Sequence, residues 1–395
     1  MYFSMIFEAQ IAHNTPEDER RVMNECVEQA VLADSLGFDR VWAVEHHSLV
    51  NYAHMSAPEI FLSFIAARTS DIRLGHGVVC VPFKYNHPVR VAERVAMLDI
   101  LSGGRMDLGV GRGATPRELG VFGVTAEETQ AQLVESLAMI PRIWTEKEFR
   151  HTSELIAVPP REIVPKPLQK PHPPLFMACT KEATLNLAGR LGVGALALGF
   201  AGPDDIAEKN RVYRKAVRER DPAAVVGLEA NDHLSALCPA IVLDDAEKAR
   251  YLGFRGQRFF VESLNYWSRG GPPPDPDAYD RELADSRATL AQTRMELEMQ
   301  FGSELVTVSD GTARRDAEQS AGLHLTQVDQ GYGDVEDCIA YVQRLFDAGA
   351  DEIMFLLQMG TVPHDAIMES IENIGNHVIP RFRADTTSPA SRTQA

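Results

Sequence analysis

The sequence lacks any cysteine pattern typical of a zinc knuckle or a disulfide framework. Its 395 residues contain five cysteines, an odd number, which lie far apart and include no C-x-x-C pair. Neither kind of fold is therefore indicated. Free thiols fit a reducing compartment, so we expect the protein to be cytoplasmic. The five residues are Cys26, Cys80, Cys179, Cys238 and Cys338.

Long apolar runs and an excess of positive charge are also missing. No window approaches the roughly eighteen uninterrupted apolar residues of a membrane-spanning helix. The N-terminal MYFSMIFEAQIA has no basic leader region. With 39 Lys and Arg against 56 Asp and Glu, the formal net charge is -17. Such a surface repels nucleic acids and anionic membranes, so we predict that neither is a partner.

Two familiar ligand motifs are absent as well. The chain has no H-E-x-x-H, no H-x-H and no histidine pair at i, i+4 on a predicted helix, so we expect no catalytic metal. No G-x-G-x-x-G follows a predicted strand, and we therefore do not expect NADH to bind as it does in dinucleotide folds. The residues weighed as metal ligands are Glu45, His46, His47, His54, His76 and His87.

What the chain does contain is a repeated alternation of strand and helix. Its 45% hydrophobic and 24% charged residues are typical of a globular protein. Apolar runs at Leu74–Val81 and Met106–Gly111 predict strands, and apolar spacing over Pro88–Leu101 predicts an amphipathic helix between them. Continuous apolar strands separated by a helix indicate a parallel sheet covered by helices.

The alternation continues along the chain and favours a closed barrel. Predicted helices end at glycines, such as Gly37, Gly192 and Gly349, and a strand follows within a few residues. An open doubly wound sheet and a closed barrel both fit this pattern. Candidate strands lie near residues 5, 40, 74, 107, 175, 195, 228 and 353. This number favours an α/β (β/α)8 TIM barrel, with Met5–Ile11 as first strand and Val225–Ala230 as seventh.

Two insertions interrupt the predicted barrel. Residues 147–173 are rich in proline and predict a hairpin or an extended segment. Residues 268–330 begin with a G-G-P-P-P run and continue into a charged helix. We interpret them as a lid, with a passive surface or oligomer contact as the alternative. We predict one domain over 1–385 and a disordered tail over 386–395.

The triplet Glu45-His46-His47 follows the second predicted strand. Catalytic residues of a TIM barrel lie at the carboxyl ends of its strands. A neutral imidazole can take a proton near pH 7, although a structural histidine at a strand end is the alternative. Adjacent side chains in an extended chain point in opposite directions, so only one of the two histidines can easily face the pocket. We assign the catalytic role to His46.

A second group of residues indicates an anion site. Glycines around Arg112 leave room for a flat ligand or a phosphate, and the guanidinium can bind phosphate oxygens. The segment from Thr180 through Lys181 to Thr184 leads from the fifth strand into a helix, whose N-terminal N–H groups can receive an anion. Ordinary helix capping by Thr180 is the alternative.

Together these motifs resemble the bacterial-luciferase-like flavin-dependent monooxygenases. The resemblance spans nearly the whole chain in the right order. It rests on Glu45–His47, His87–Arg90, Leu98–Arg105, Leu108–Gly113, Thr180–Thr184, Gly331–Asp334 and Val378–Phe382.

The resemblance implies a TIM barrel that binds reduced FMN from a separate flavin reductase. O2 would form a flavin peroxide that oxygenates a small organic substrate, and the protein would be a homodimer. On this basis His46 would be catalytic, and Arg112, Thr180, Lys181 and Thr184 would hold the FMN phosphate. Gly77 and Val78 would lie under the flavin ring, where the family often has a non-proline cis peptide.

The chain also departs from the family pattern. Gly111 replaces a cysteine near the flavin, and we expect a larger pocket there and no light emission. The turn at the phosphate site lacks the usual serine pair, which leaves the individual phosphate ligands open. A deazaflavin-dependent hydride-transfer oxidoreductase and a non-catalytic flavin-binding partner protein remain as alternatives.

Overall fold

The computed structural model describes residues 1–198, 202–277, 280 and 330–385. Its strands are β1 (Tyr2–Phe7), β2 (Arg40–Ala43), β3 (Arg73–Cys80), β4 (Met106–Gly111), β5 (Phe149–Thr152), β6 (Ala157–Arg161), β7 (Leu175–Cys179), β8 (Gly194–Ala197), β9 (Leu234–Val242), β10 (Gly331–Gly333) and β11 (Glu352–Leu356). Its helices are α1 (Pro16–Ser35), α2 (Pro58–Ala66), α3 (Pro88–Leu101), α4 (Pro116–Val121), α5 (Ala126–Thr145), α6 (Glu182–Leu191), α7 (Pro203–Arg218), α8 (Ala246–Arg269), α9 (Val335–Asp347), α10 (His364–Asn373) and α11 (Ile379–Asp385).

The central element is a closed barrel of parallel strands surrounded by helices. Around the barrel the order is β1, β2, β3, β4, β7, β8, β9 and β11, and β11 pairs back to β1. The short β10 extends the far end of β9. The predicted (β/α)8 TIM barrel is confirmed. Because every strand runs in the same direction, all eight carboxyl ends lie on one rim.

Local sequence signals explain where the helices begin and end. Thr15 caps α1, since its Oγ1 accepts a hydrogen bond of 3.1 Å from the backbone N–H of Asp18. The same helix ends before Gly37, whose φ of 78° is costly for other residues. The predicted bounds of α3 and β4 are those of the structure.

The amino-terminal end of the barrel is closed by a buried cluster of charges. The Arg40 guanidinium donates to Asp107 at 2.6 Å and to Glu352 at 2.5 Å. The indole N–H of Trp42 donates to the second carboxylate oxygen of Glu352 at 2.8 Å. Each charge of this cluster has a partner, as burial in low dielectric demands. Paired side chains therefore occupy this end of the barrel, and the candidate functional residues lie on the opposite rim.

Two predicted strands are corrected by the structure. The first strand is β1 at Tyr2–Phe7 and not Met5–Ile11. The prediction of Val225–Ala230 as seventh strand is wrong, because that stretch forms a half-exposed loop and the seventh position belongs to β9. Proline within a run argues against a strand, yet Pro239 is tolerated in β9. It lies where the neighbour of β9 changes from β11 to β10, so its missing N–H removes little pairing.

The first insertion is confirmed as a hairpin of β5 and β6, which pair antiparallel. The second insertion, predicted from about Ser268, follows α8, which continues to Arg269 and ends at Gly270 with a φ of 71°. The rest of the predicted lid, 278–279 and 281–329, lies outside the described residues, as does the predicted tail 386–395. Within the described ranges no helix is both long and apolar enough to cross a membrane.

Candidate active site

His46 lies on the carboxyl-terminal rim, three residues after β2. Its backbone N–H donates to the carbonyl of Met55 at 3.0 Å, which fixes the loop. The imidazole is 14% exposed and makes an edge contact with the ring of Tyr52, with centroids 5.2 Å apart. The backbone bond fixes the loop and Tyr52 covers the imidazole, so the side chain is largely shielded from bulk water.

Glu118 holds the imidazole from α4, the helix that follows β4. Its Oε1 lies 2.8 Å from His46 Nδ1 and 3.2 Å from the backbone N–H of His47. Its Oε2 accepts from the N–H and the hydroxyl of Thr115, both at 3.0 Å. Glu118 is completely buried, and all these bonds fix its position. The sequence carried a signal for it, since T-x-x-E before a helix is a capping box.

Glu8 approaches the imidazole from the opposite side. It follows β1 directly and is 7% exposed. Its Oε2 lies 3.7 Å from His46 Nε2, beyond hydrogen-bond distance. That oxygen is buried and has no hydrogen-bond partner within the described part of the chain. Glu8 was missed by the sequence analysis, because an acidic residue at the end of a strand has no distinguishing pattern.

The three groups shift one another's proton affinity. Burial opposes the charge of His46, but the hydrogen bond to Glu118 and the charges of Glu8, Glu118 and Glu45 raise its pKa to about 9. Burial raises the pKa of Glu8 to about 7, although the His46 charge opposes this. Burial also raises the pKa of Glu118, but the hydrogen bond to His46 and the charge of His46 outweigh burial, so the pKa of Glu118 lies below its ordinary value. The surrounding carboxyl groups therefore favour the imidazolium form of His46, which has a proton on both ring nitrogens.

The neighbours of His46 in the triplet have structural contacts. The Glu45 carboxylate accepts from the N–H of Cys80 at 2.6 Å and from the Asn86 side chain at 3.0 Å, so it links the β2 and β3 loops. The ring of His47 packs against Phe122, with centroids 4.9 Å apart. Of the two histidines, His46 is the one whose Nε2 lies beside an unpartnered carboxylate oxygen.

Gly77 and Val78 lie near the carboxyl end of β3, and the peptide bond between them is cis, as expected. The expectation that Gly111 enlarges the pocket is wrong. A Cβ at Gly111 would stand 2.4 Å from Cγ2 of Val78, because Val78 already fills the space beside the glycine. A larger residue at position 111 would need Val78 to move. β3 and β4 therefore pack closely against each other below the rim.

The predicted anion-binding residues also lie on this rim. Arg112 follows β4, Thr180 follows β7, and β4 pairs directly with β7. Arg112 is half-buried and has no ion-pair or hydrogen-bond partner among the residues that the structure describes. Thr180 and Lys181 are exposed at the start of α6. Thr184 is engaged locally, because its hydroxyl donates to the Lys181 carbonyl at 2.7 Å.

A phosphorylated flavin such as FMN fits this arrangement. A half-buried guanidinium without a protein partner, next to a helix N-terminus, is suited to a phosphate. The closely packed backbone of β3 and β4 is a surface that a flat ring can contact. Glu182 in the first turn of α6 opposes an anion, so Arg112 and Lys181 must outweigh its charge. In the described ranges no group of three or more His, Cys, Asp or Glu could hold a metal.

Comparison with known proteins agrees with the geometry. The chain matches the family model described as luciferase-like monooxygenase over residues 1–352. It belongs to the luciferase-like monooxygenase family. The matched range includes every residue of the rim described above, from Glu8 to Thr184.

Relatives of this chain within the family include oxygenases. The chain is 30% identical to 4-hydroxyprotoasukamycin monooxygenase of Streptomyces nodosus over 298 residues, covering 70% of this chain and 76% of that protein. It is 33% identical to the oxygenase component of the flavin-dependent trigonelline monooxygenase of Acinetobacter baylyi, and that match covers 41% of this chain and 44% of that protein. Several curated relatives are thus matched over about half their length. Other family relatives are F420-dependent dehydrogenases.

A solved structure supports the fold of the family. The crystal structure of monooxygenase RslO1 from Streptomyces bottropensis superposes with a TM-score of 0.72 at 23% sequence identity. The match covers 97% of this chain and 100% of that one. At this identity the likeness concerns the barrel and not the substrate.

Proposed function

We propose that this protein is the oxygenase of a two-component, FMN-dependent monooxygenase. The observation that carries the proposal is that Glu118 fixes His46 at 2.8 Å on the same rim as Arg112, which has no partner among the described residues. Acid–base and anion-binding groups thus lie together at the end of the barrel where such folds bind ligands. Relatives described as flavin-dependent oxygenases support this class of reaction.

The residues of the rim have separate roles in holding FMN. Arg112, Thr180 and Lys181 would bind the phosphate, and Thr184 would shape the turn through its bond to the Lys181 carbonyl. Gly77 and Val78 would lie under the ring. Reduced FMN, supplied by a separate reductase, provides the electrons that activate O2.

His46 would act as the proton donor of the site. Its Nδ1 is taken by Glu118, so Nε2 is the nitrogen that can face the ligand. A protonated imidazole donates a hydrogen bond to an oxygen that gains negative charge, and it can release the proton there. Tyr52 packs against the ring and keeps water from it. The substrate is a small organic molecule.

The proposal is tested by mixing the flavin-free protein with chemically reduced FMN and then with air. Protein-bound reduced FMN should be re-oxidised at a rate that differs from that of free FMN and that depends on His46. Repeated turnover should require an added flavin reductase and NADH, which regenerate reduced FMN. Re-oxidation identical to that of free FMN at saturating protein would contradict the proposal.

The alternative function is hydride transfer with a deazaflavin, and F420-dependent relatives favour it. Binding decides between the two. Titration of the flavin-free protein with FMN and with F420, followed by fluorescence, should give the lower Kd for FMN. If F420 binds more tightly and O2 consumption is absent, the alternative replaces the oxygenase.

A homodimer is part of this proposal. Helices α2 and α3 pack together and present large apolar side chains to solvent, with Ile60 70% and Leu101 71% exposed. Apolar patches on a surface commonly mark protein contacts. The others on these two helices are Phe64, Met97 and Ile100.

Light scattering on an Ile60→Lys, Leu101→Lys double variant tests the dimer. Wild type should have the mass of two chains, and the variant should have the mass of one. Leu155→Lys, which replaces an exposed leucine of the β5–β6 turn, is the matched control and should stay dimeric. Monomeric wild-type protein would contradict the dimer.

A further inference from the structure

The Glu8 carboxyl is a buried polar group that the proposed function leaves unused. Burying a carboxyl without a hydrogen-bond partner costs free energy, and such groups in native proteins ordinarily have a compensating role. Its Oε2 points towards the nitrogen of His46 that Glu118 does not occupy. The imidazole therefore stands between two carboxyl groups that come from different barrel connections.

The two carboxyl groups differ in their surroundings. Glu118 is saturated with hydrogen bonds from His46, His47 and Thr115, so it serves as a fixed negative charge. Glu8 Oε2 has none within the described ranges and is free to change protonation state. The groups that face the imidazole are Glu8 after β1, Glu118 on α4, and Glu45 and Tyr52 on its own loop.

We propose that Glu8 is the proton partner of His46, and that a proton moves between His46 Nε2 and Glu8 Oε2, on the ligand side of the imidazole, when their separation shortens from 3.7 Å to hydrogen-bond distance. In this transfer the N–H bond breaks and an O–H bond forms, while imidazolium becomes imidazole and carboxylate becomes carboxylic acid. The net charge of the pair does not change. The inference deepens the proposed function, because it rests on His46 as the proton-carrying group of the site.

The physical consequence is a store of one exchangeable proton inside a buried site. A charge-neutral exchange avoids the cost of creating an isolated charge in low dielectric. A donor or acceptor works best when its pKa lies near the working pH, and Glu8, with a pKa of about 7, meets that condition. Glu8 acts through His46, so its role is to set the protonation of the imidazole.

The test uses the flavin-free protein, so its outcome is independent of cofactor and substrate. Histidine ring resonances are followed by NMR from pH 5 to pH 10, and His46 is assigned by its loss in His46→Asn. Replacing Glu8 by the isosteric Gln should lower the pKa of His46 by about one unit, a tenfold change in proton affinity. Glu8→Asp keeps the charge and should restore most of the shift.

A matched control comes from a second carboxylate–histidine pair. Glu19 Oε1 lies 4.0 Å from His54 Nε2, so Glu19→Gln should move the titration of His54 and leave that of His46 unchanged. In the unsubstituted protein the carboxyl carbon resonance of Glu8 should report the titration step of His46 as well as its own. This measurement uses the unsubstituted protein, so it does not depend on whether a variant folds.

The proposal is overturned by either of two results. One is a His46 titration that is the same in wild type and Glu8→Gln, while Glu118→Gln shifts it. The other is a Glu8 carboxyl resonance that follows a single step with no inflection at the pKa of His46. Coupled titration of His46 and Glu8 in a protein that does not oxidise reduced flavin would support this inference and contradict only the oxygenase function.

Discussion

The two ends of the barrel each bury a cluster of charges, and the clusters differ in how completely they are paired. At the amino-terminal end, Arg40 lies between Asp107 and Glu352, with bonds of 2.6 and 2.5 Å. At the carboxyl-terminal rim, His46 has one close partner, Glu118, and one distant one, Glu8. Complete pairing is suited to stability, whereas an unsatisfied oxygen next to a titratable ring is suited to proton transfer.

Breaking the amino-terminal cluster should have the largest effect. Arg40→Leu removes a guanidinium that pairs two buried carboxylates, and it should lower the free energy of unfolding by about 3–5 kcal/mol. Urea denaturation measures this loss. Arg21→Leu removes two surface ion pairs, to Asp18 and Glu25, and should change stability by less than about 1 kcal/mol. Equal losses in the two variants would mean that the amino-terminal cluster does not stabilise the barrel.

The rim should respond to substitution in the opposite way. His46→Asn removes the proposed proton donor and should slow O2-dependent oxidation of bound reduced FMN by about 10²-fold. Its unfolding free energy should fall by less than that of Arg40→Leu. Stopped-flow absorbance and urea denaturation give the two numbers. An unchanged oxidation rate in a folded His46→Asn variant would remove His46 from the mechanism.

Arg112 is expected to have a smaller effect, and one specific to the phosphate. Hydrogen bonds to charged groups contribute about 1.5–3 kcal/mol, so Arg112→Ala should raise the Kd of FMN by about 10- to 100-fold. Riboflavin has the same ring without the phosphate, and its Kd should be nearly equal in wild type and variant. Fluorescence titration measures both. Equal weakening for FMN and riboflavin would show that Arg112 does not bind the phosphate.

The pH dependence of stability should also differ between the two ends. His46 has a folded pKa of about 9 against an ordinary value of 6.5, so its contribution is present below pH 6.5 and is lost as pH rises to about 9. Burial opposes the ionised form of Glu352, but Arg40 and His233 hold its pKa below its ordinary value of 4.5. Its contribution is therefore lost as pH falls below 4.5.

Denaturation curves between pH 3 and pH 10 separate these two effects. The alkaline decline should be at most about 1.4 kcal/mol per pH unit for each proton, and it should disappear in His46→Asn. The acid decline should persist in that variant. An alkaline decline that survives without His46 would assign it to another group.

The sequence predicted the barrel and much of the rim, because those signals are local. Glycine-terminated helices and apolar runs gave most of the strands, and the E-H-H triplet at a strand end gave His46. Glu118 had a capping-box pattern, but its contact with the imidazole joins residues 72 positions apart. Val78 beside Gly111 is likewise a contact between neighbouring strands, so the room expected at Gly111 could not be judged from the chain alone.

The most direct test is an NMR titration of the flavin-free protein with FMN, in which the histidines at the two ends of the barrel are compared. His233 contacts Glu352 at the amino-terminal end, at 2.7 Å, and serves as the internal reference. FMN should shift the ring resonances of His46 and leave those of His233 unchanged, and Arg112→Ala should require about tenfold more FMN for the same shift. FMN binding that leaves His46 unperturbed, or that perturbs His233 instead, would contradict the account.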